Sequence, residues 1–212
     1  MSLMRWIFDH ILPEQFQRPV ARAYYRRQFQ GQTSEADALA CRSYFKPGDL
    51  VIDVGANVGD YTRVFSENGA IVHALEPIPE TFDYLVSNVS GSRLKNVIFY
   101  NIAASSENGM AKMTIPKWHG GGKNIYEARL CEDGDIPVCK CRLDDVFSNL
   151  NPTFIKCDVE GHELEVIRGA VQLIERCHPK WLIEVSGEET VQLMKQLGYS
   201  TKPATGSNVF FV

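Results

Sequence analysis

Residues 50–54 read Leu-Val-Ile-Asp-Val, an apolar run broken by a single carboxylate, with Lys46-Pro47-Gly48-Asp49 before it and Gly55 after it. A half-exposed strand alternates apolar and polar positions, whereas a short continuous run between turn signals fits a strand covered on both faces. Such a strand needs a layer of structure on each side, and the rest of the chain offers the material. A helical pattern follows it, with Tyr61, Val64 and Phe65 on one side. Strands are then expected at 70–75, 97–103, 154–158 and 181–185, and a last one at 209–212. Helices are expected at 79–89, 163–176 and 188–197, the first with Phe82, Leu85, Val86 and Val89 on one face and the second with Leu164, Ile167, Val171 and Ile174. Strands alternating with amphipathic helices predict an α/β sheet, mostly parallel. Residues 105–152 are less regular; 113–116 and 138–142 are strand-like, with Gly120-Gly121-Gly122 between them. Upstream, 4–12 and 19–29 read as helices and 35–45 as a short one. The expected organisation is an N-terminal helical extension over 1–35 and one domain over 36–212.

Composition narrows the partners. The 212 residues carry 22 Lys and Arg against 26 Asp and Glu, a net charge of −4, so no basic footprint for nucleic acid is present. No apolar window reaches the roughly 18 residues of a membrane span. Asp9, His10 and Pro13 interrupt the apolar patch that a signal peptide would need, and residues 1–3 read as a leader. The six cysteines lack metal-binding spacing and predict reduced thiols in a cytoplasmic setting.

In an open α/β sheet, ligands bind beyond the carboxyl ends of the strands. After the first strand stand Asp53-Val54-Gly55-Ala56-Asn57-Val58-Gly59, whose glycines permit a tight turn and close approach of a ligand. After the second stands Glu76, about twenty positions on, where an acid can accept hydrogen bonds from a ribose diol. Together they predict an adenosine-containing ligand. A dinucleotide fingerprint needs glycine where this chain has Asp53, and a carboxylate there repels a pyrophosphate. It suits a cationic ligand such as S-adenosylmethionine, which has an ammonium and a sulfonium. A nucleotide-dependent oxidoreductase and a catalytically silent adenosyl-ligand-binding partner protein are the alternatives.

These residues belong to a longer pattern. Residues 53–59, Glu76-Pro77 followed by Phe82, Asn101-Ile102-Ala103, Arg142-Leu143-Asp144-Asp145-Val146 and Lys156-Cys157-Asp158-Val159-Glu160-Gly161-His162-Glu163 resemble the FkbM-type methyltransferase family over about 36–185. The resemblance implies a class I methyltransferase fold, a Rossmann-like sheet of seven strands with the last antiparallel and helices on both faces. It also implies S-adenosylmethionine as cofactor and O-methylation of a hydroxyl on a glycan or small metabolite. Carried over by position, Asp53, Gly55, Ala56, Asn57 and Gly59 surround the methionine end, Glu76 the ribose, and Asn101 with Ala103 the adenine edge. Asp158 faces the methionine moiety or the acceptor oxygen.

A hydroxyl acceptor must lose a proton, and Asp158, Glu160 and His162, alternating just past a strand end, are the catalytic candidates; alternation lets at most two face the site together, and Asp158 and His162 are the favoured pair. Glu184 is a further site-facing candidate. Helix capping is the competing role for Glu160, Asp144 and Asp145, and an acidic first helical turn that for Glu163. No metal is expected, because no ligand cluster gathers at a single strand end. Arg18, Arg22 and Arg26 fall on one helical stripe, which either stays solvated or meets an anionic acceptor or membrane surface. Residues 117–135, with Trp118, His119, Asn124 and Tyr126 around the three glycines, are expected to form an acceptor-side lid.

Overall fold

The computed structural model describes residues 14–30, 36–117 and 123–212. The helix expected over 4–12, the break at 31–34, and Trp118, His119 and Gly120 to Gly122 of the expected lid lie outside them. In chain order the elements are α1 Glu14–Gln30, α2 Ala36–Ala40, β1 Leu50–Val54, α3 Asp60–Glu67, β2 Ile71–Leu75, α4 Pro79–Ser90 and β3 Val97–Tyr100. There follow β4 Ala103–Ala104, β5 Gly109–Thr114, β6 Arg129–Leu130, β7 Ile136–Cys141, α5 Leu143–Val146 and β8 Phe154–Cys157. The chain closes with α6 Glu163–Arg168, α7 Val171–Cys177, β9 Lys180–Glu184, α8 Glu188–Gln196, β10 Thr201–Pro203 and β11 Asn208–Phe211.

The main sheet has seven strands in the order β3-β2-β1-β8-β9-β11-β10. The first five pair in parallel, and β11 runs antiparallel to both β9 and β10. The order reverses between β1 and β8, which opens a crevice at their carboxyl ends. Period-two alternation divides the core. Val51, Phe154 and Leu182 pack with Phe45, Val64 and Phe65 on one face. Ile52, Ile155 and Ile183 pack with Ile167, Leu173 and Met194 on the other. Full burial of side chains of this size stabilises by about 1.5–3 kcal/mol each. The same alternation puts Asp53 and Lys156, register partners on neighbouring strands, on the α3 face among apolar groups.

Several expectations change, and the helix expected over 163–176 is divided into α6 and α7. The third strand stops at Tyr100, because Asn101 Nδ2 donates to the carbonyls of Glu76 (2.8 Å) and Pro77 (2.9 Å) and turns the chain out of the sheet. The irregular middle forms a second sheet of four strands, β4-β7-β5-β6, closed by non-local pairings between β5 and β7. Helix α1 begins at Glu14 and contains Pro19, which forfeits one intrahelical hydrogen bond. Its arginine stripe, expected to be solvated or to meet an external anion, is exposed and runs along the seam with α4. Arg18, Arg22 and Arg26 there face Glu80 and Asp83, and Arg22 Nε donates to Ser87 Oγ at 2.8 Å. Phe29 is buried beside Leu85, Ala56 and Val89. All six cysteines are free thiols. Among the described residues no helix is long and apolar enough to cross a membrane.

Candidate active site

The turn from β1 into α3 holds Gly55 at φ +75° and Asn57 at +49°. The amides of Gly55 and Ala56 both donate to Leu75 O, at 3.0 and 2.9 Å, which fastens the turn to the end of β2. A Cβ on Gly55 would lie 1.9 Å from Asp158 O, so glycine is required by contact as well as by φ. Asn57 N donates to Glu76 Oε2 at 3.1 Å and Ile78 N to Glu76 Oε1 at 2.9 Å. Glu76 is buried, and burial lifts its carboxyl to about 7 against the pull of those two hydrogen bonds.

A cleft of about 370 Å³ runs from this turn past Ile102 and Ala103 to the end of β8. Its lining includes Gly55, Ala56, Asn57, Glu76, Ala103, Asp158, Glu160 and His162 from the sequence-derived set. The structure sets Asp53, Gly59 and Asn101 apart from that lining. Asp53 is wholly buried beneath the turn, where Thr62 Oγ1 donates to its Oδ2 at 2.5 Å. Gly59 faces Leu85, whose Cδ1 lies 2.9 Å from where a Cβ would stand, so its place is in helix packing. Asn101 holds the strand end described above.

The other end of the cleft is acidic. Lys156, buried, donates through Nζ to Gly55 O at 2.9 Å, and the ammonium lies 3.3 Å from Asp158 Oδ2 and 3.8 Å from Asp53 Oδ1. Burial opposes the Asp158 charge, but the Lys156 ammonium and a hydrogen bond with Glu184 outweigh it and hold the carboxyl below its ordinary value. Glu184 moves the opposite way, raised by burial, by its hydrogen bond with Asp158 and by the Asp158 charge. Ser207 Oγ donates to Glu184 Oε1 at 2.8 Å. Glu160, at φ +53°, is exposed. Partial burial, then the charges of Asp158, Glu184 and Glu127, push its carboxyl up to about 7. His162 Nε2 lies 3.0 Å from Ser105 Oγ, and burial lowers its pKa, so the ring is neutral at pH 7. Ser105 reaches it because Gly169 carries no side chain; a Cβ there would meet Ser105 O at 2.0 Å.

No ligand cluster was expected at a single strand end, but two neighbouring ends together bring three carboxylates close. Oxygens of Asp158, Glu160 and Glu184 lie within 4.8 Å of one another, drawn from the neighbouring ends of β8 and β9. Lys156 already supplies a cation to this group. The capping roles also fall differently. Asp144 Oδ1 accepts Leu173 N at 2.8 Å in the first turn of α7, not an amide of its own helix. Glu163 stands in the first turn of α6 as expected, fully buried, and accepts the amides of Val159 and Gly161 and the Ser186 hydroxyl.

Sequence reading quoted Lys156 without giving it a role. Its signal was a lone charge inside the apolar run Phe154-Ile155-Lys156-Cys157, the counterpart of Asp53 in β1. It missed Asp37 altogether. That buried carboxylate accepts Thr205 N at 3.0 Å and Asn208 Nδ2 at 3.0 Å, tying α2 to the β10–β11 turn at the cleft wall, and partners so distant in sequence leave no local signal.

The strand order, the glycine turn under Glu76 and the crevice between β1 and β8 define a class I methyltransferase fold. The chain belongs to the family of the methyltransferase FkbM domain, whose model matches residues 53–201. It is 31% identical over 147 residues to the hexuronic acid methyltransferase AglP of Haloferax volcanii, covering 60% of this chain and 52% of that protein. It is 38% identical over 72 residues to the 31-O-demethyl-FK506 methyltransferase FkbM of Streptomyces tacrolimicus, covering 33% of this chain and 27% of that one. The chain thus spans about half or less of the curated relatives it matches. The crystal structure of methyltransferase FkbM from Methylobacillus flagellatus KT superposes with a TM-score of 0.58 at 17% identity, over 79% of this chain and 44% of that one.

Proposed function

We propose that the chain is an S-adenosylmethionine-dependent methyltransferase that methylates a hydroxyl oxygen of a glycan or small metabolite. The observation that carries this reading is the single cleft in which the Glu76-fastened glycine turn and the carboxylates of Asp158 and Glu160 meet. The turn fits the cofactor: Gly55 and Ala56 line the cleft beside Glu76, and Asn57 Oδ1 has no hydrogen-bond partner. Each Glu76 oxygen accepts one amide and keeps a lone pair for a ribose hydroxyl. Gly55, Ala56 and Asn57 would hold the methionine end, Glu76 the ribose, and Ile102 with Ala103 the adenine. When bound, the cofactor supplies an electrophilic methyl group on a sulfonium whose departure needs no acid.

The chain's residues then have two tasks. Positioning the acceptor oxygen in line can supply about 7–11 kcal/mol of barrier lowering. The oxygen must also lose its proton. Asp158 is a poor acceptor for it, because Lys156 stabilises its charge. Glu160 opens into the cleft with a carboxyl near 7, the range in which proton transfer at neutral pH is most effective. His162, steadied by Ser105, orients the acceptor beside it. A sugar acceptor is supported by the archaeal relative, a hexuronic acid methyltransferase. The six free thiols support a reducing, cytoplasmic setting.

Calorimetry with S-adenosylhomocysteine and with NAD tests the cofactor, and tritiated methyl transfer into glycan and metabolite extracts tests the reaction. We expect S-adenosylhomocysteine alone to bind. Glu160→Gln should lower turnover by about 10²–10⁴-fold while cofactor affinity holds. Binding of NAD in its place would favour an oxidoreductase, and binding without any transfer a silent partner protein. Undiminished turnover in Glu160→Gln removes that residue from proton transfer.

A further inference from the structure

Lys156 does more in this site than balance a buried charge. Its side chain is 5% exposed, and it stands where the cofactor turn and the acceptor carboxylates converge. An ammonium has three donor hydrogens in a rotatable head. One goes to Gly55 O at 2.9 Å, and Asp158 Oδ2 stands at 3.3 Å. Asp53 Oδ1 is more distant, 3.8 Å, and the ring of Tyr61 lies 5.1 Å away on another side. Glu184 shares a hydrogen bond with Asp158, but its other partner is a neutral hydroxyl, Ser207. The cation therefore stands against the Asp158 side of the carboxyl pair, while Glu184 has only the Ser207 hydroxyl. Two carboxyl groups this close cannot both ionise freely, and an adjacent cation decides which of them keeps the charge.

We propose that Lys156 is a positioning residue that divides the work of the acceptor-end carboxyl groups: it holds Asp158 as the fixed anion, makes Glu184 the more readily protonated of that pair, and so leaves Glu160 to take the proton of the acceptor. The last clause rests on the reading of Glu160 given above; the first two do not. Through Gly55 O, the same ammonium ties that charge distribution to the glycine turn.

Carboxyl ¹³C NMR titration of Asp158 and Glu184 tests this without turnover. In the wild-type chain Asp158 should titrate below the ordinary Asp value of about 3.9, and Glu184 above the ordinary Glu value of about 4.3. Lys156→Met should raise the Asp158 midpoint by about one pH unit or more and narrow the gap between the two groups, while Lys156→Arg should restore it. If Lys156→Met alone does not fold, Lys156→Met with Asp53→Asn removes both buried charges and carries the same expectation. A wild-type Asp158 midpoint at or above the ordinary value overturns the proposal, as does an unmoved midpoint in either folded variant. The acidic limb of the pH–rate profile for methyl transfer separates the two readings. If Asp158 shifts as stated while the limb survives Glu160→Gln, the role of Lys156 stands and that of Glu160 falls.

Discussion

Glu76 lies 6% exposed at the end of β2, and its two oxygens each accept one amide, from Asn57 and from Ile78. Burial nonetheless lifts its carboxyl from 4.5 to about 7. Across that window the folded chain keeps a proton that the unfolded chain has released, so stability is lost as the pH rises through it. The loss is about 3 kcal/mol for a shift of this size. Asp53, raised mainly by burial, acts in the same direction, and Asp158, held low, acts in the other at more acidic pH. Urea denaturation at pH 5 and 7.5 should therefore show a fall in stability that shrinks in Glu76→Gln, where no proton is exchanged. An equal fall in both proteins would mean that Glu76 does not titrate in this range. The identity of Glu76 as a site residue was legible from its spacing after the glycine turn. Its protonation was not, because burial is a property of the assembled turn.

Among the elements, the connection from β1 to α3 is the most constrained. Gly55 sits at φ +75°, and the backbone oxygen of Asp158 occupies the place of its Cβ. Gly55→Ala must take up left-handed strain and also push β8 away from β1, a cost on the order of 3 kcal/mol. Thermal unfolding should show that loss, and calorimetry should show S-adenosylhomocysteine binding weakened by more than about tenfold, since the whole turn moves. Wild-type values for both would mean that the turn accommodates a side chain. The turn itself was readable from local glycine spacing. The end of β3 was not, since apolar residues stand on both sides of Asn101 and the chain leaves the sheet through Asn101 bonds to carbonyls more than twenty positions back. The second sheet was missed for a similar reason. Its strands pair across a long, weakly patterned segment, and pairing of that kind has no local signature.

Over the whole molecule, the topology collects carboxylates at one mouth. Asp158 and Glu160 arrive from the end of β8, Glu184 from the end of β9 and Asp37 from α2, while Lys156 is committed beneath them. Like charges facing each other across a binding site strongly disfavour a partner. A neutral glycoside should therefore be methylated in preference to the matching uronate by about tenfold or more, as measured by competition with tritiated methyl donor. Preference for the uronate would require a cation at this mouth. By itself the sequence determined the α/β architecture, the place of the glycine turn and its acid, and the carboxylates that follow β8. Those features rest on periodicity, turn chemistry and short spacings, all of which act within a few residues. Only the tertiary structure decided that Asp53 is buried beneath the turn, outside the cleft lining, and that Lys156 stabilises the charge of Asp158. It also decided that Asp37 shares the cleft, and that the exposed arginine stripe borders α4. These depend on strand register and burial, which bring distant residues together and set the dielectric around their charges, and no local pattern encodes either.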